Sequence, residues 1–351
     1  MELEYLLTNI APWLTGDGPE ADIILSSRIR LARNLKGFNF LRKTDETSRR
    51  EILGLIHGVI DKVSTLSGAV VVELEGLPDL DRLFLMERHL ISRELSPDYQ
   101  GSVIIGHQEI ISLMINEEDH LRIQIIRSGM SLSRCWDEIQ KVDAELEKFL
   151  EYEYSPVYGY LTACPSNVGT GMRASVMIHL PALVLHKQID KIVQTVGKLG
   201  LAVRGINGEG SQATGNMFQI SNQSTLGKSE EDILGDLEKI ISKIIVHERN
   251  GRRVLLENQL LRIEDQIYRA LGILNNARLI TSEETIDLLS ALRMGVDLKV
   301  LETITRGTVN QLFLYTQPAH LQKLAGSALD ATKRDALRAK LIRDKIEKEG
   351  C

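Results

Sequence analysis

CPSNVGTGMRASVMIHL, residues 164–180, is the stretch that decides which kind of fold this chain has. Its core, residues 169–174, fits the G-x-G-x-x-A pattern of dinucleotide-binding turns, in which the glycines lead into a helix that faces a pyrophosphate. Here the glycines lead into ASVMIHL, residues 174–180, which predicts a strand. The chain also contains no Walker A sequence, G-x-x-x-x-G-K-[ST]. The stretch therefore predicts a glycine turn that lets the backbone approach an anion and places Arg173 beside it.

The balance of strand and helix signals changes along the chain. Before residue 229 strand-like runs are frequent, and three of them lie close together within residues 102–128, which indicates antiparallel pairing. After residue 229 helical periodicity dominates. We therefore expect an α+β fold: a mostly antiparallel sheet flanked by helices over residues 1–250, followed by an all-α C-terminal domain over residues 251–351.

Several element boundaries are specific enough to test. YGYLTAC, residues 158–164, predicts a strand that runs into the glycine stretch, and one helix is expected between ASVMIHL and about residue 198. The helical periodicity of the C-terminal part predicts four further helices, over residues 229–272, 282–294, 307–324 and 330–347.

Composition narrows the functional class. The 351 residues are 43% hydrophobic and carry a net charge of −6, which argues against a broad nucleic-acid footprint. No apolar run approaches the ~20 residues of a membrane span, and the N-terminus is acidic where a signal peptide is basic. Three cysteines without C-x-x-C spacing favour neither a disulfide framework nor a zinc site. We expect a cytoplasmic protein that binds neither membranes nor, directly, nucleic acid.

Arginines lie at strand ends throughout the first part of the chain. Arg28 and Arg30 are at i and i+2, so both project from one face of an extended segment. Arg122 begins a predicted strand, Arg173 follows the glycines and Arg204 ends LAVRG. Taken singly, each is more typical of a solvated surface arginine. Together they can cradle a polyphosphate through bidentate contacts.

Two acidic positions accompany these arginines. NEEDH, residues 116–120, places three adjacent carboxylates, with Glu118 in the middle, between two predicted strands. Like charges on a turn repel one another unless a cation faces them. Glu209 stands in the loop RGINGEG, five residues after Arg204. Each is explained either by solvation of a surface turn or by a carboxylate that holds a cationic substrate.

Four of these stretches together resemble the phosphagen kinases, the creatine and arginine kinase family. They are LSSRIRLARNLKGF, NEEDHLR, CPSNVGTGMRAS, and RGINGEG with FQISN. They occur in the family's order between about residues 20 and 250. The resemblance implies a glutamine-synthetase-like sheet, with ATP and Mg²⁺ as cofactors and ATP bound by arginines instead of a P-loop. It does not identify the metal ligands.

The resemblance also implies roles for individual residues. Glu118 and Glu209 would hold the substrate guanidinium, and Cys164 stands at the family's reactive cysteine. His89 falls where the family has a nucleotide-site histidine, although a helix-surface histidine would fit its surroundings as well. The residues that would contact the ATP phosphates are Arg28, Arg30, Arg122, Arg173 and Arg204.

The domain layout departs from small-molecule phosphagen kinases and is similar to that of bacterial protein-arginine kinases. The small helical domain in front is absent, and a helical domain stands at the C-terminus. Within it, Arg334, Asp335, Arg338 and Ala339 resemble the R-D-x-x-R-A phosphoarginine-binding motif of that family. Without the resemblance, these residues would be read as the basic face of an exposed terminal helix.

The function expected from these observations is ATP-dependent phosphorylation of arginine in proteins. The alternatives are a kinase of a free small guanidino compound and a non-catalytic phosphoarginine-binding adaptor. The resemblance further implies a homo-oligomer that marks misfolded proteins for a Clp protease system. It also implies a stress-gene repressor as a substrate and a zinc-containing activator protein as a partner.

Overall fold

The protein is described here by a computed structural model that covers residues 3–95, 100–205 and 214–349, and the backbone of residues 208–209. Its centre is a nine-stranded antiparallel sheet with the strand order β10-β9-β11-β8-β1-β5-β4-β3-β2. A separate hairpin is formed by β6 and β7. The strands are β1 Ile24–Arg33, β2 Val70–Glu73, β3 Ser102–Ile105, β4 Ile111–Ile115, β5 Leu121–Ser128, β6 Tyr154–Ser155, β7 Gly159–Tyr160, β8 Met172–His179, β9 Leu201–Gly205, β10 Gly208–Glu209 and β11 Met217–Asn222.

Helices cover one face of the sheet and form the C-terminal part of the chain. They are α1 Glu4–Thr8, α2 Glu46–Ile60, α3 Asp79–Glu87, α4 Leu132–Glu147, α5 Pro181–Leu185, α6 Ile189–Lys198, α7 Glu230–Asn276, α8 Ser282–Asp297, α9 Arg306–Tyr315, α10 Pro318–Ala325 and α11 Ala331–Glu349. The predicted α+β fold with a mostly antiparallel sheet and a helical C-terminal part is confirmed. Among the helices of the described residues, none is both long and apolar enough to cross a bilayer.

The sheet has one apolar face because its strands alternate in polarity. On β1, Ile29 and Leu31 are fully buried, whereas Arg28 and Arg30, which alternate with them along the strand, point to the opposite face. The apolar face packs on buried side chains of α2, α4 and α7, such as Ile56, Ile139 and Leu237. This packing leaves the other face of the central strands available for a polar site.

The predicted domain boundary near residue 250 falls inside a helix. α7 is 47 residues long and begins with a capping box between Ser229 and Asp232. It departs from helical geometry at Gln259, where φ is −138°. The division of the chain into domains at this point therefore stays a prediction.

Three predicted elements were wrong in detail. Of YGYLTAC, only Gly159–Tyr160 is a strand, and it pairs with β6 in the hairpin. The helix expected after β8 is two helices, α5 and α6, with Lys187 between them at a left-handed φ of 55°. The helix predicted over 307–324 ends at Tyr315, and Pro318 begins α10. Proline has no N–H to donate inside a helix, so it starts a new one instead.

Candidate active site

The arginines singled out in the sequence share one face of the sheet. Arg28 and Arg30 are two residues apart on β1, and Arg30 stands directly opposite Arg173 on β8. Ala32, the next residue of β1 on this face, stands opposite Arg122 on β5. Residues directly opposite in an antiparallel pair project to the same side. These four guanidinium groups therefore converge on one surface.

Arg204 joins the same face across two further strands. Arg28 stands opposite Ser175 on β8, which stands opposite Ser221 on β11. Gln219 is two residues from Ser221 on β11 and stands opposite Arg204 on β9. The Arg204 side chain is exposed at this edge of the surface. All five predicted phosphate ligands are thus brought together on one face.

The central arginines of this face lack counter-charges. Within the described part of the chain, none of Arg28, Arg30 and Arg173 has a carboxylate at ion-pair distance, and the buried Nε of Arg30 has no hydrogen-bond partner. Burial, together with Arg122 and Arg173, lowers the pKa of Arg28 to about 10. Burial and the neighbouring arginines hold the pKa of Arg30 well below its ordinary value. A cluster of unpaired cations of this kind is suited to a polyanion.

Arg122 differs from Arg28, Arg30 and Arg173 because two carboxylates of the described residues hold it. Its Nη1 lies 2.5 Å from Oε1 of Glu117, and its Nη2 lies 3.0 Å from Oε2 of Glu118. Glu117 is buried and also accepts a hydrogen bond from Ser92. The Glu118 side chain is 31% exposed. Glu117 therefore fixes Arg122, and Glu118 keeps one side open to an incoming group.

Glu117 is a site residue that the sequence analysis did not single out. It was grouped with its acidic neighbours, and only the fold shows that it faces Arg122 and Ser92. The sequence feature that could have identified Glu117 is its position just after β4, at the start of the turn. The repulsion expected between Glu117 and Glu118 is thus relieved within the protein, since both carboxylates bind the guanidinium of Arg122.

The third carboxylate, Asp119, connects the acidic turn to the segment that carries Cys164. Its Oδ1 accepts hydrogen bonds of 2.7 Å from the Asn34 side chain and from the Ala163 backbone N–H. Cys164 is half-buried, with its Sγ 3.1 Å from Oγ of Ser166. Asp119 therefore positions the predicted reactive cysteine at the end of the sheet where Glu118 lies.

Arg173 lies in the electrostatic field of the same groups. Its pKa is lowered mainly by burial and then by Arg204 and Arg122, while Cys164 and Glu118 act in the opposite direction. The predicted catalytic residues Glu118 and Cys164 are therefore close enough to a predicted phosphate ligand to act on its charge.

The glycines at 169 and 171 are required by close approaches within the protein. Both have positive φ, 113° at Gly169 and 65° at Gly171. A Cβ at Gly171 would lie 2.6 Å from the carbonyl oxygen of Ala32, and one at Gly169 would lie 2.8 Å from that of Thr225. The glycines allow the turn to approach other parts of the protein backbone, and approach of this turn to an anion stays a prediction. The strand β8 that follows confirms that this is not a dinucleotide turn.

A buried ion pair holds this turn against β1. Arg33 binds Asp143 of α4, with Nη2 to Oδ2 at 2.7 Å, and both side chains are nearly inaccessible. Arg33 also donates to the carbonyl oxygen of Thr170 at 3.0 Å and lies 3.5 Å from the ring centre of Tyr160. Arg33 thus serves the fold, in contrast to Arg28 and Arg30 on the same strand.

His89 lies at the site and not on the surface of a helix. It follows the end of α3 with a left-handed φ of 60°. Its ring centre is 5.3 Å from that of Trp13, and its carbonyl oxygen accepts a hydrogen bond from Gln124 of β5. Burial and the charge of Arg28 lower the pKa of His89 to about 4, so its ring is neutral near pH 7. The alternative of a helix-surface histidine was wrong.

An open cleft of about 1010 Å³ lies over the arginine face. Arg28, Arg30, Arg204 and His89 line it, together with residues of α8, α9 and α10. Arg173 stands opposite Arg30 at the same register position, and Arg122, opposite Ala32, lies further towards the β4–β5 turn. This volume is at the upper end of the range of roughly 300–1,000 Å³ that is typical of small-molecule sites.

The side chain of Glu209, the second predicted carboxylate, lies outside the described residues. Its backbone pairs with that of Arg204 through β10 and β9. The predicted role of Glu209 therefore stays a prediction.

The C-terminal motif is part of the interior of the helical region. Arg338 is 1% exposed and donates hydrogen bonds to the carbonyl oxygens of Thr316 and Ile280 and, at 2.5 Å, to Oδ1 of Asp335. Ala339 is buried in the helical core, and Arg334, half-buried, donates to Leu329. The alternative of an exposed basic face was wrong for Arg338. Binding of phosphoarginine at this motif stays a prediction.

No cluster of three or more His, Cys, Asp or Glu side chains with metal-site geometry occurs within residues 3–95, 100–205 and 214–349. The residues of the arginine face fit an anionic ligand, because the orphaned Nε of Arg30 needs an acceptor.

Comparisons with known proteins agree with this geometry. Residues 52–251 match the family "ATP:guanido phosphotransferase, C-terminal catalytic domain", and residues 260–350 match "Protein-arginine kinase McsB C-terminal domain". The chain is 46% identical over 352 residues, 99% of each chain, to a protein-arginine kinase of Bacillus cereus (strain AH820).

Solved structures of similar fold include a taurocyamine kinase and a lombricine kinase. One is the duplicated taurocyamine kinase from Schistosoma mansoni with bound transition-state-analogue components, at a TM-score of 0.59 and 27% identity. The similarity covers 65% of this chain and 33% of that one. Lombricine kinase gives a TM-score of 0.58 and 26% identity, over 67% of this chain and 68% of that one.

Proposed function

Because the chain belongs to the protein-arginine kinase family of ATP:guanido phosphotransferases, we propose that it transfers the γ-phosphoryl group of ATP to arginine side chains of other proteins. The observation that carries this proposal is a sheet face on which, among the described residues, Arg28, Arg30 and Arg173 have no carboxylate at ion-pair distance. A half-open carboxylate, Glu118, stands at the end of this face. The arginines are suited to a triphosphate and the carboxylate to a guanidinium, so both substrates have a complementary partner.

The arginine face holds the nucleotide phosphates. Arg28 and Arg30 lie in the cleft, and Arg173 and Arg122 lie at the end where transfer takes place. Phosphoryl transfer depends mainly on positioning and on stabilising the charge spread over the transferring group. Glu117 fixes Arg122 from one side, which keeps that guanidinium at the end of the arginine face.

Glu118 aligns the acceptor. A terminal nitrogen of the substrate guanidinium attacks the γ-phosphorus, the bond from that phosphorus to the bridging oxygen of ADP breaks, and one proton leaves the guanidinium. Free arginine has a pKa above 12, so a carboxylate at hydrogen-bond distance is needed to accept that proton. Glu118 is partly exposed and serves this role, with Glu209 as the proposed second carboxylate.

Mg²⁺ accompanies ATP in this proposal. Mg²⁺ is commonly held by substrate phosphates, water and one or two carboxylates, and it neutralises charge on the phosphates. The residues of this chain contribute the arginine contacts.

The acceptor is proposed to be protein-bound arginine instead of a free guanidino compound. Two observations support this choice. The chain aligns over its full length with an enzyme named protein-arginine kinase, whereas taurocyamine and lombricine kinases align with about two thirds of it. The C-terminal helical region also carries the Arg334–Ala339 motif that resembles a phosphoarginine-binding sequence.

A comparison of acceptors tests the proposal. ADP release is measured with ATP and Mg²⁺ in the presence of casein, casein with chemically blocked arginines, or free arginine. ADP release with unmodified casein alone supports the proposal. Activity with free arginine alone would support the small-guanidine alternative, and no release with any acceptor would support the binding adaptor.

On the resemblance alone, we further propose a cellular role. The enzyme would act in the cytoplasm as a homo-oligomer and mark misfolded proteins for a Clp protease system. It would phosphorylate a stress-gene repressor, and a zinc-containing protein would activate it. Phosphoarginine at Arg334, Asp335, Arg338 and Ala339 would act as an allosteric ligand.

A further inference from the structure

The cleft over the arginine face is closed on one side by the C-terminal helical region. We propose that α8, α9 and α10 form the base-binding end of the nucleotide cleft, so that the C-terminal region contacts the adenine of ATP directly. This inference rests on the proposed function, because it takes ATP as the ligand. It assigns to the C-terminal region a part in nucleotide selection that is separate from its phosphoarginine motif.

The residues that line the cleft change in polarity along β1. Arg30 and Arg28 occupy one end, and Ser26 and Leu25 follow towards the other. Four residues separate Arg30 from Ser26, or about 13 Å of extended chain. The lining residues of β1 and β11 beyond Ser26, Leu25 and Met217, are apolar. In the proposed orientation, the phosphates of a nucleotide lie at the arginine end and its base lies beside Leu25 and Met217.

The end of the cleft beyond Ser26 is formed by three parts of the chain. The catalytic sheet supplies Leu25, Ile126 and Met177 to it, and the N-terminal segment supplies Trp13 and Leu14. The opposite wall consists of residues from the C-terminal helices and their junctions: Ser282, Glu283, Ile286, Phe313, Leu314, Gln317 and Pro318.

Phe313 is the wall residue best placed to meet a ring. It is partly exposed and lines the cleft, whereas its neighbour Leu314 is buried in a small cluster with Trp13 and Leu25. Purine bases bind well to flat apolar and aromatic surfaces, because every base has an apolar face. Phe313 and Trp13 are the aromatic lining residues of the C-terminal and catalytic walls.

The wall is fixed to the catalytic part by specific contacts. Both carboxylate oxygens of Glu87, at the end of α3, accept the first backbone N–H groups of α10, from Ala319 at 2.8 Å and from His320 at 2.9 Å. Glu87 also pairs with the His320 ring at 2.7 Å. Since His89 follows two residues later, α10 anchors the same turn that places His89 in the cleft.

A second contact fixes α8. Ile286 packs against Gly215, where an added Cβ would lie only 2.5 Å from the Ile286 side chain. The backbone N–H of Gly215 donates to Asp287 at 3.1 Å. Gly215 comes just before β11, so α8 is seated on the sheet that carries the arginine face. The C-terminal wall and the arginine face are therefore held in a fixed position relative to each other.

The test separates contacts to the base from contacts to the phosphates. Binding of Mg-ATP and of inorganic Mg-tripolyphosphate is measured by calorimetry for the wild type, Phe313→Ala and Arg28→Ala. We expect Phe313→Ala to weaken ATP binding about tenfold and to leave tripolyphosphate binding unchanged. Arg28→Ala should weaken binding of both ligands, since it removes a phosphate contact.

Leu324→Ala is the matched control, because Leu324 is an apolar residue of α10 that is 47% exposed and does not line the cleft. It should bind both ligands like the wild type. If Phe313→Ala does not unfold cooperatively, Phe313→Leu replaces it as the test variant. Phe313→Leu should weaken binding of ATP but not of tripolyphosphate, and by less than Phe313→Ala.

Wild-type ATP affinity in both Phe313 variants, or an equal loss for ATP and tripolyphosphate, would overturn the inference while ATP binding itself stands. Failure of the wild type to bind ATP would instead overturn the proposed function.

Discussion

Arg30 and Arg173 stand directly opposite each other on β1 and β8, and neither forms an ion pair with the residues that the structure describes. Like charges in this position destabilise a sheet. The fold therefore tolerates a local repulsion at the centre of its sheet. An anionic ligand between the two guanidinium groups relieves that repulsion, which couples the stability of the protein to ligand binding.

The first prediction follows from this coupling. Arg30→Met should stabilise the ligand-free protein, by up to about 1 kcal/mol, because it removes a like-charge contact and a buried unpaired Nε. The same change should weaken ATP binding. Thermal unfolding with and without ATP measures both effects.

Arg253→Met provides the control for this change, since Arg253 is an exposed arginine of α7. It should change neither property. A ligand-free Arg30→Met protein that is less stable than the wild type would show that Arg30 supports the fold instead of the site.

The second prediction separates two adjacent carboxylates. Glu118→Gln should reduce transfer to casein by ~10²-fold or more, the usual scale for a positioned acid–base group, while ATP affinity stays nearly unchanged. Glu117→Gln should lower ATP affinity, because Arg122 loses its buried partner at 2.5 Å. Turnover and calorimetric titration are compared for the two variants. An equal loss of ATP affinity in Glu118→Gln would mean that its role is misassigned.

The same prediction extends to Glu209. Glu209→Gln should also abolish most transfer and spare ATP binding, since both carboxylates are proposed to act on the guanidinium. Loss of ATP binding in this variant would contradict the proposed pairing of Glu118 with Glu209.

The third prediction concerns thiol chemistry. Iodoacetamide should inactivate the enzyme by reaction at Cys164, which is half-buried beside the site. Cys135 should not react in the folded protein, because it is buried and burial raises its pKa to about 12. Cys164→Ser should retain a folded protein with reduced activity that no longer responds to the reagent. Peptide mapping that places the inactivating label at Cys135 or Cys351 would contradict this assignment.

The fourth prediction concerns the C-terminal motif. Asp335→Ala should weaken binding of free phosphoarginine by roughly 1.5–3 kcal/mol, the usual value of a hydrogen bond to a charged group. It should also destabilise the helical region, because buried Arg338 loses its carboxylate partner. Calorimetry measures the first effect and thermal unfolding the second.

Asp330→Ala is the control for Asp335→Ala, since Asp330 precedes the same helix and pairs with exposed Lys333. It should leave phosphoarginine binding unchanged. Destabilisation of Asp335→Ala with wild-type phosphoarginine affinity would reduce the motif to a structural role.

The fifth prediction concerns pH. The pKa of His89, about 4, lies below its ordinary value of 6.5, so protonation favours the unfolded protein. The stability that neutral His89 contributes is fully present above pH 6.5 and is lost as the pH falls towards 4. His89→Gln should therefore show a shallower loss of thermal stability over this range, whereas exposed His247→Gln should follow the wild type. Parallel curves for all three proteins would show that His89 does not titrate as its surroundings imply.

The sequence was sufficient to predict the features that depend on the alternation of side chains along a strand. The i, i+2 spacing of Arg28 and Arg30 predicted that they share a face, and the strand after the glycines predicted that no dinucleotide turn forms there. Both follow from local rules of strand geometry.

Long-range contacts decided the features that the sequence did not predict. Gly171 is required by the closeness of Ala32, which is 139 positions away, and Arg338 is buried by carbonyl oxygens of Thr316 and Ile280. Neither partner is marked in the local pattern. The C-terminal wall of the cleft likewise depends on where α9 and α10 lie in the folded protein, which no local sequence pattern predicts.

The most direct test of the central claim is peptide mass spectrometry of casein after incubation with the enzyme, ATP and Mg²⁺, performed under conditions that preserve the acid-labile N–P bond. The account predicts phosphate on arginine residues of casein with the wild type, and only traces with Glu118→Gln. Phosphate on serine, threonine or tyrosine, or no new phosphate on casein while free arginine is phosphorylated, would contradict it.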